Sequence, residues 1–234
     1  MRMRDQIISI TQMLRLPTRC LLCHALQRGP FAVCATCEKH LPPLGPSCQS
    51  CATPLPDAGF LLCGHCCLKK PPIDHVFTTY RFEEPLRTIL HEFKYREGLY
   101  LTSFLSKLMV QAIPIAYDTE CLIPVPMHPK QLRRRGFNQA ALLAKQVARH
   151  INRPVDHVSC QKVLDTPHQA GLDAHARRQN LHQAFHVKAI PYQHVTLVDD
   201  LLTTGSTANE LARQLKRAGV KRVDLWCCAK ACPL

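Results

Sequence analysis

The chain has 234 residues, of which 46% are hydrophobic and 20% charged, and its formal net charge is +13. That length and composition suit one medium domain with its own core plus a small module. No apolar run approaches the about 20 residues that cross a bilayer, which excludes a transmembrane segment and membrane insertion.

The first residues, Met1 to Pro17, open with arginines and an apolar stretch. Ser9, Thr11 and Gln12 interrupt that stretch, and no small-residue cleavage site follows it. A short amphipathic helix with Ile7, Ile10 and Leu14 on one face fits this segment better than a secretory signal. The expected compartment is the reducing cytoplasm, where paired cysteines serve as metal ligands rather than disulfides.

Nine of the 14 cysteines precede residue 68. Eight form the pairs Cys20/Cys23, Cys34/Cys37, Cys48/Cys51 and Cys63/Cys66, separated by ten, ten and eleven residues. A Cys-x-x-Cys knuckle turns two thiolates to one side at a separation suited to Zn²⁺, so four knuckles predict two structural sites of four cysteines. The even gaps permit sequential or crossed pairing; sequential pairing, giving two ribbons, is preferred. Cys67 is a spare thiol or an alternative ligand; His24, His40 and His65 could replace a cysteine, but with eight thiols available they read as bystanders. A disulfide-rich secreted module is the alternative, and it conflicts with the cytosolic character of the rest. The segment is rich in Pro and Gly and could hardly build a core alone, so metal would supply its folding energy. Two Zn²⁺ ions on eight thiolates add about −4, leaving about +9.

Residues 69–75 read as a linker, dividing the chain into a helix-and-ribbon module (1–75) and an α/β domain (76–234). Alternation predicts a strand at Val76–Phe82, and helical spacing covers Pro85–Tyr95 and Leu99–Ala112. Cys121–Val125 is a buried strand, Ala140–Ile151 a helix and Val195–Val198 an apolar strand. Ser206–Ala218 is a helix closed by Gly219, and Val223–Cys228 is the next strand. Strands alternating with helices imply a parallel sheet, with ligands beyond its carboxyl edge. The loops after Val125 and Val198 leave from that edge.

The run from Val195 to Thr207 carries the sharpest chemistry. A strand delivers two carboxylates, Asp199 and Asp200, and the loop after them opens a helix. Backbone N–H groups there, with the hydroxyls of Thr203, Thr204, Ser206 and Thr207, form a phosphate cradle. Gly205 allows close backbone approach. Carboxylates beside a phosphate site suit the hydroxyls of an attached sugar.

This run resembles the signature for 5-phosphoribosyl-1-pyrophosphate (PRPP) in type I phosphoribosyltransferases. The resemblance implies that Asp199 and Asp200 hold the ribose 2′- and 3′-hydroxyls as catalytic acids, and that Leu201 to Thr207 hold the 5′-phosphate. Phe93-Lys94-Tyr95, Ile123-Pro-Val-Pro-Met-His128, Arg133-Arg-Arg-Gly-Phe-Asn-Gln139, Thr166-Pro-His-Gln169 and Arg177-Arg-Gln-Asn180 extend the match. With the cysteine-rich ribbon, they resemble the ComF family of competence and GntX-type proteins over about residues 18–230. The resemblance implies a type I phosphoribosyltransferase-like α/β fold with an N-terminal double zinc ribbon. It makes Pro124, Val125, Pro126 and His128 the pyrophosphate loop. Arg133, Arg134, Arg135, Gly136, Asn138 and Gln139 become a mobile flap, with the arginines chemically suited to pyrophosphate. Lys94 is a candidate phosphate contact. Lys162 and Leu164 depart from the family pattern, which has arginines before Thr-Pro-x-Gln.

Three functions follow. One is enzymatic: PRPP loses pyrophosphate with help from Mg²⁺, though no acceptor site is readable. Another is DNA handling. Residues 76–234 carry 22 Lys/Arg against 13 Asp/Glu, a charge suited to single-stranded DNA, while 6% aromatic content limits stacking. The family resemblance favours this reading: cytoplasmic processing of DNA taken up in transformation, beside a competence helicase, or use of DNA as a nutrient. The third is a regulator that senses PRPP without turning it over.

Overall fold

Two long strands, β8 (His194–Leu202) and β9 (Arg222–Lys230), form the centre of the molecule. A computed structural model describes residues 17–95, 98–114, 117–165 and 184–232. The helix predicted near the N-terminus and the motifs Thr166–Gln169 and Arg177–Asn180 lie outside the described residues. β5 (Cys121–Pro124) pairs with β8 on one side, and β9 pairs with β8 on the other. β3 (Val76–Phe77) and β4 (Tyr80–Arg81) both add to the outer edge of β9. Every ladder in this sheet is parallel.

Period-two alternation sorts the strand side chains onto two faces. Leu122, Val198, Trp226 and Cys228 point into one cluster. It is closed by α3 (Leu86–Tyr95), α4 (Thr102–Val110) and α6 (Gln139–Ile151). Cys121, Ile123, Leu197, Leu225 and Cys227 point into the other, closed by α7 (Ser206–Arg217). Both faces are covered, so the strands read as continuous apolar runs. Leu86, Ile89, Leu90 and Phe93 form the buried stripe of α3, as their spacing predicts.

Several elements differ from the expected ones. Residues 76–82 make two short strands, β3 and β4, with Thr78 and Thr79 between them. The segment before Ala112 begins as a 3₁₀ turn at Leu99–Leu101, ahead of α4. A hairpin of β6 (Cys160–Lys162) and β7 (Phe185–Val187) had no counterpart in the expected elements. The segment 69–75 is pinned rather than free. Ile73 is buried, Asp74 N–H donates to Val223 O at 2.8 Å, and Lys216 pairs with the Asp74 carboxylate at 2.7 Å.

The cysteine-rich segment packs on both faces of the sheet. Cys20, Ala32, Val33 and Leu41 join the cluster under α3, α4 and α6, while Leu44 and Ala52 join the cluster under α7. Between the two halves, Leu44 N–H donates to Thr79 O at 2.8 Å, anchoring the crossover to the β3/β4 edge. The segment therefore straddles one edge of the sheet and borrows the core of the body.

Candidate functional site

The cysteines fall into two groups, Cys20, Cys23, Cys34 and Cys37, and Cys48, Cys51, Cys63 and Cys66, with all sulfurs of a group within 4.8 Å of one another. Pairing is sequential. Tetrahedral zinc with Zn–S bonds of about 2.3 Å sets its sulfurs about 3.8 Å apart. The spacing is 3.8 Å for Cys23–Cys34 and 3.7 Å for Cys51–Cys63, so both groups fit Zn²⁺. Short helices α1 (Ala35–Lys39) and α2 (Gly64–Leu68) start on Cys34 and Cys63. Burial works against the Cys20 thiolate, yet backbone N–H groups of Cys23, Cys34 and Leu22 outweigh it and hold its pKa down at about 6. The same balance places Cys48 at about 7. Thiolates stabilised this way are prepared for metal. Four sulfur ligands leave no open coordination position, so each site is structural.

The second site sits at the carboxyl edge of the sheet. β5 ends at Pro124, opposite Val198, and the last bond of that ladder is Val125 N–H to Val198 O at 2.9 Å. β8 continues to Leu202, so Asp199 and Asp200 lie inside the strand, bonded to β9 on one side and beyond the end of β5 on the other. Alternation makes the acids unequal. Asp200 is buried and pairs with Lys94 Nζ at 2.6 Å. Asp199 lines a cleft completed by Leu201 to Ala208. Lys94 thus meets a carboxylate where a phosphate contact was expected, because α3 packs over the Asp200 face. Burial works to lower the Lys94 pKa, and the Asp200 carboxylate more than reverses it. Burial pushes the Asp199 pKa up to about 8; the Asp200 charge adds to that and Lys94 opposes it.

Asp224, near the opposite end of the sheet, shows what a fully paired acid looks like here. It too is desolvated, but His194, Arg222 and the Tyr117 hydroxyl all bond to it and hold its pKa below the ordinary value. Asp199 accepts from the Asp200 N–H at 2.9 Å, and among the described residues it has no comparable set of side-chain donors.

The loop after β8 enters α7 through Gly205, whose φ of +75° is open to glycine at little strain. Gly205 brings no side chain to cap α7, so its partly positive end faces the cleft. Thr203, Thr204 and Ser206 are exposed, with the Thr204 and Ser206 hydroxyls 2.9 Å apart. Lys230, absent from the sequence-based set, fixes this loop: its Nζ donates to Thr203 O and Ala231 O, both at 2.7 Å.

On the β5 side, Pro124 and Val125 are buried, and Pro126 and His128 lead into α5 (Pro129–Arg135). His128 Nδ1 accepts from Lys130 N–H at 3.3 Å and caps that helix. Arg133, Arg134 and Arg135 form its last turn, and Gly136 ends it in the left-handed conformation at φ +85°. The expected flap is therefore helical as far as Arg135. Arg133 and Arg134 are exposed, whereas Arg135 lies over the Tyr95 ring and donates to Gln139 Oε1 at 2.9 Å. Asn138 donates to Val125 O at 3.1 Å and caps α6, tying the two segments together. Lys162 on β6 was noted only as a departure. It is half-buried, and its pKa falls through burial, against the charges of Asp165 and Asp199.

A parallel α/β sheet with a cleft at its carboxyl edge and two four-cysteine ribbons on its flank defines the class of protein. Residues 12–67 match a family model described as a double zinc ribbon domain. The chain is 34% identical to "Competence protein F" of Haemophilus influenzae over 224 residues, covering 91% of this chain and 97% of that protein. It is 33% identical to "DNA utilization protein YhgH" of Escherichia coli O157:H7, covering 92% and 98%. "Competence protein ComFC" of Bacillus subtilis is 26% identical over 146 residues, covering 61% and 58%. This chain belongs to the ComF family. Among the described residues no helix is long and apolar enough to cross a membrane.

Proposed function

We propose that this chain is a cytoplasmic DNA-handling protein of uptake or utilisation whose cleft binds PRPP or a closely similar phosphoribose. The observation that carries the reading is the cleft itself, where Asp199 and the uncapped start of α7 meet beyond the end of β5. An anionic phosphate is met by the helix end and the loop N–H groups, and a sugar hydroxyl by the Asp199 carboxyl group. The exposed Arg133 and Arg134 end α5, the helix that follows the loop after β5, and carry the charge a pyrophosphate would need. Mg²⁺ would enter with PRPP, bound to its pyrophosphate and ribose oxygens. Names of relatives, competence protein and DNA utilization protein, support the DNA role. The net charge of +13 favours single-stranded DNA as a partner.

Thermal-shift titration with PRPP and Mg²⁺ tests the site. Wild type gains stability, and Asp199→Asn and Asp200→Asn lose most of the gain; no shift in the wild type would remove the reading. Pyrophosphate release with candidate bases separates a phosphoribosyltransferase from a PRPP-sensing regulator. A salt-dependent gel shift with single-stranded DNA, weakened by Arg133→Ala and Arg134→Ala, tests the nucleic-acid arm.

A further inference from the structure

A second, larger cavity adjoins the phosphate cleft. It holds about 540 Å³, within the about 300–1,000 Å³ of sites for small organic ligands. Its walls come from distant parts of the chain: Ser50 and Thr53 of the second ribbon, Val76 of β3, and Asn209, Lys230 and Ala231 of the body. Thr203, Thr204 and Gly205 line both spaces. The loop assigned to the 5′-phosphate is thus a rim shared by the cleft and the cavity.

The lining specifies an occupant. No Asp or Glu is part of it among the described residues; Cys51 and Cys63, two ligands of the second metal group, and His65 stand on the ribbon side of the wall. Lys230, nearly buried, is held at the rim by its bonds to Thr203 O and Ala231 O, which fixes an ammonium where the two spaces meet. Ile73, Val76 and Leu202 supply apolar wall, and Asn209 adds an amide whose Oδ1 is buried with no hydrogen-bond partner among the described residues. A fixed cation at a rim, with an apolar chamber and a few polar groups behind it, fits a phosphate that continues into a nucleoside. A terminal phosphate would use the cleft alone.

We infer that this cavity receives the nucleoside esterified to the 5′-phosphate, so that the preferred ligand is a phosphodiester of a DNA strand. The inference rests on the reading of residues 199–207 as a phosphoribose site. PRPP, with a terminal 5′-phosphate, fills the cleft and leaves the cavity unused.

The test is calorimetric titration of the full-length, zinc-loaded protein with two probes. One is a deoxynucleoside 5′-monophosphate; the other is the dinucleoside monophosphate of the same base, in which the phosphate is a diester. Wild type binds the diester about tenfold tighter, within the range that one base contact contributes. Ala231→Phe fills the cavity from the end of β9, lowers diester affinity to the monophosphate level and leaves the monophosphate unchanged. Val76→Phe does the same from β3 and replaces the first variant if that one loses zinc or thermal stability. Equal wild-type affinity for the two probes overturns the inference, as does a diester preference that survives in the folded variants; in both cases monophosphate binding keeps the phosphoribose reading intact. Failure of PRPP, monophosphate and diester alike removes that reading and the inference together.

Discussion

In the first ribbon, Cys20 is fully buried, and Ala32, Val33 and Leu41 enter the cluster beneath α3, α4 and α6. Glu38 accepts from Lys107 Nζ through both carboxylate oxygens, at 2.5 and 2.6 Å, and Lys107 also lies over the Phe31 ring. In the second ribbon, Leu44 and Ala52 reach the opposite cluster, while Phe60, Leu61, Leu62 and Leu68 stand exposed. That ribbon instead walls the cavity beside the loop Thr203–Gly205. The two modules share the Cys-x-x-Cys knuckle but differ by one residue in the gap between knuckles, ten against eleven, and in the side chains that fill it. Metal sets each knuckle, and the intervening side chains decide whether a ribbon becomes part of the core or the wall of a site.

Breaking one zinc site at a time has the largest expected effect on this contrast. Cys34→Ser lowers the melting temperature of the whole protein by roughly 10 °C, because losing the metal also loosens the cluster around Cys20. Cys63→Ser, in the second site, costs less than half as much and weakens the diester preference first. Calorimetry with zinc analysis on both variants checks this, and equal losses would erase the distinction. A smaller effect comes from Lys107→Met, which removes the tie to Glu38. It costs about 1 kcal/mol after allowance for solvent screening, or about 2–4 °C. The loss should shrink in high salt, as read by melting curves.

A further effect has the opposite sign and depends on pH. Asp199 has its pKa raised by folding, to about 8, so the folded state holds its proton more tightly than the unfolded chain does. Its cost to stability is absent below the ordinary carboxylate range, grows as pH rises to about 8, and then levels off. Asp199→Asn therefore leaves the melting temperature unchanged at about pH 3 and raises it at about pH 8.5, while removing most of the PRPP response. A stabilisation independent of pH would contradict the assignment.

Much of the fold was legible because it depends on local spacing. The stripe Leu86, Ile89, Leu90 and Phe93 specified α3, and the regular cysteine pairs specified two metal sites. The hairpin of β6 and β7 was not legible, because its strands are three residues each and their partners are more than twenty positions apart. Nor was the linker's attachment. Asp74 acquires its partners Val223 and Lys216 only when the chain returns from far downstream. In the candidate site, the order of acids, threonines and glycine from Asp199 to Thr207 was visible. Lys230, which holds the loop from β9, carried no signal of its own.

By itself, the sequence determined the ligand types: eight thiols in knuckles, two acids ahead of a glycine turn, and a basic balance. These are chemical identities at short spacing, and a tight turn or a strand end presents them in one way. Tertiary structure alone decided that sequential knuckles share a metal, that the ribbons grip opposite faces of one sheet, and that Asp200 is neutralised by Lys94 while Asp199 faces the cleft. Those outcomes depend on how helices and strands distant in sequence pack, and on which face of β8 each side chain takes once β5 has ended.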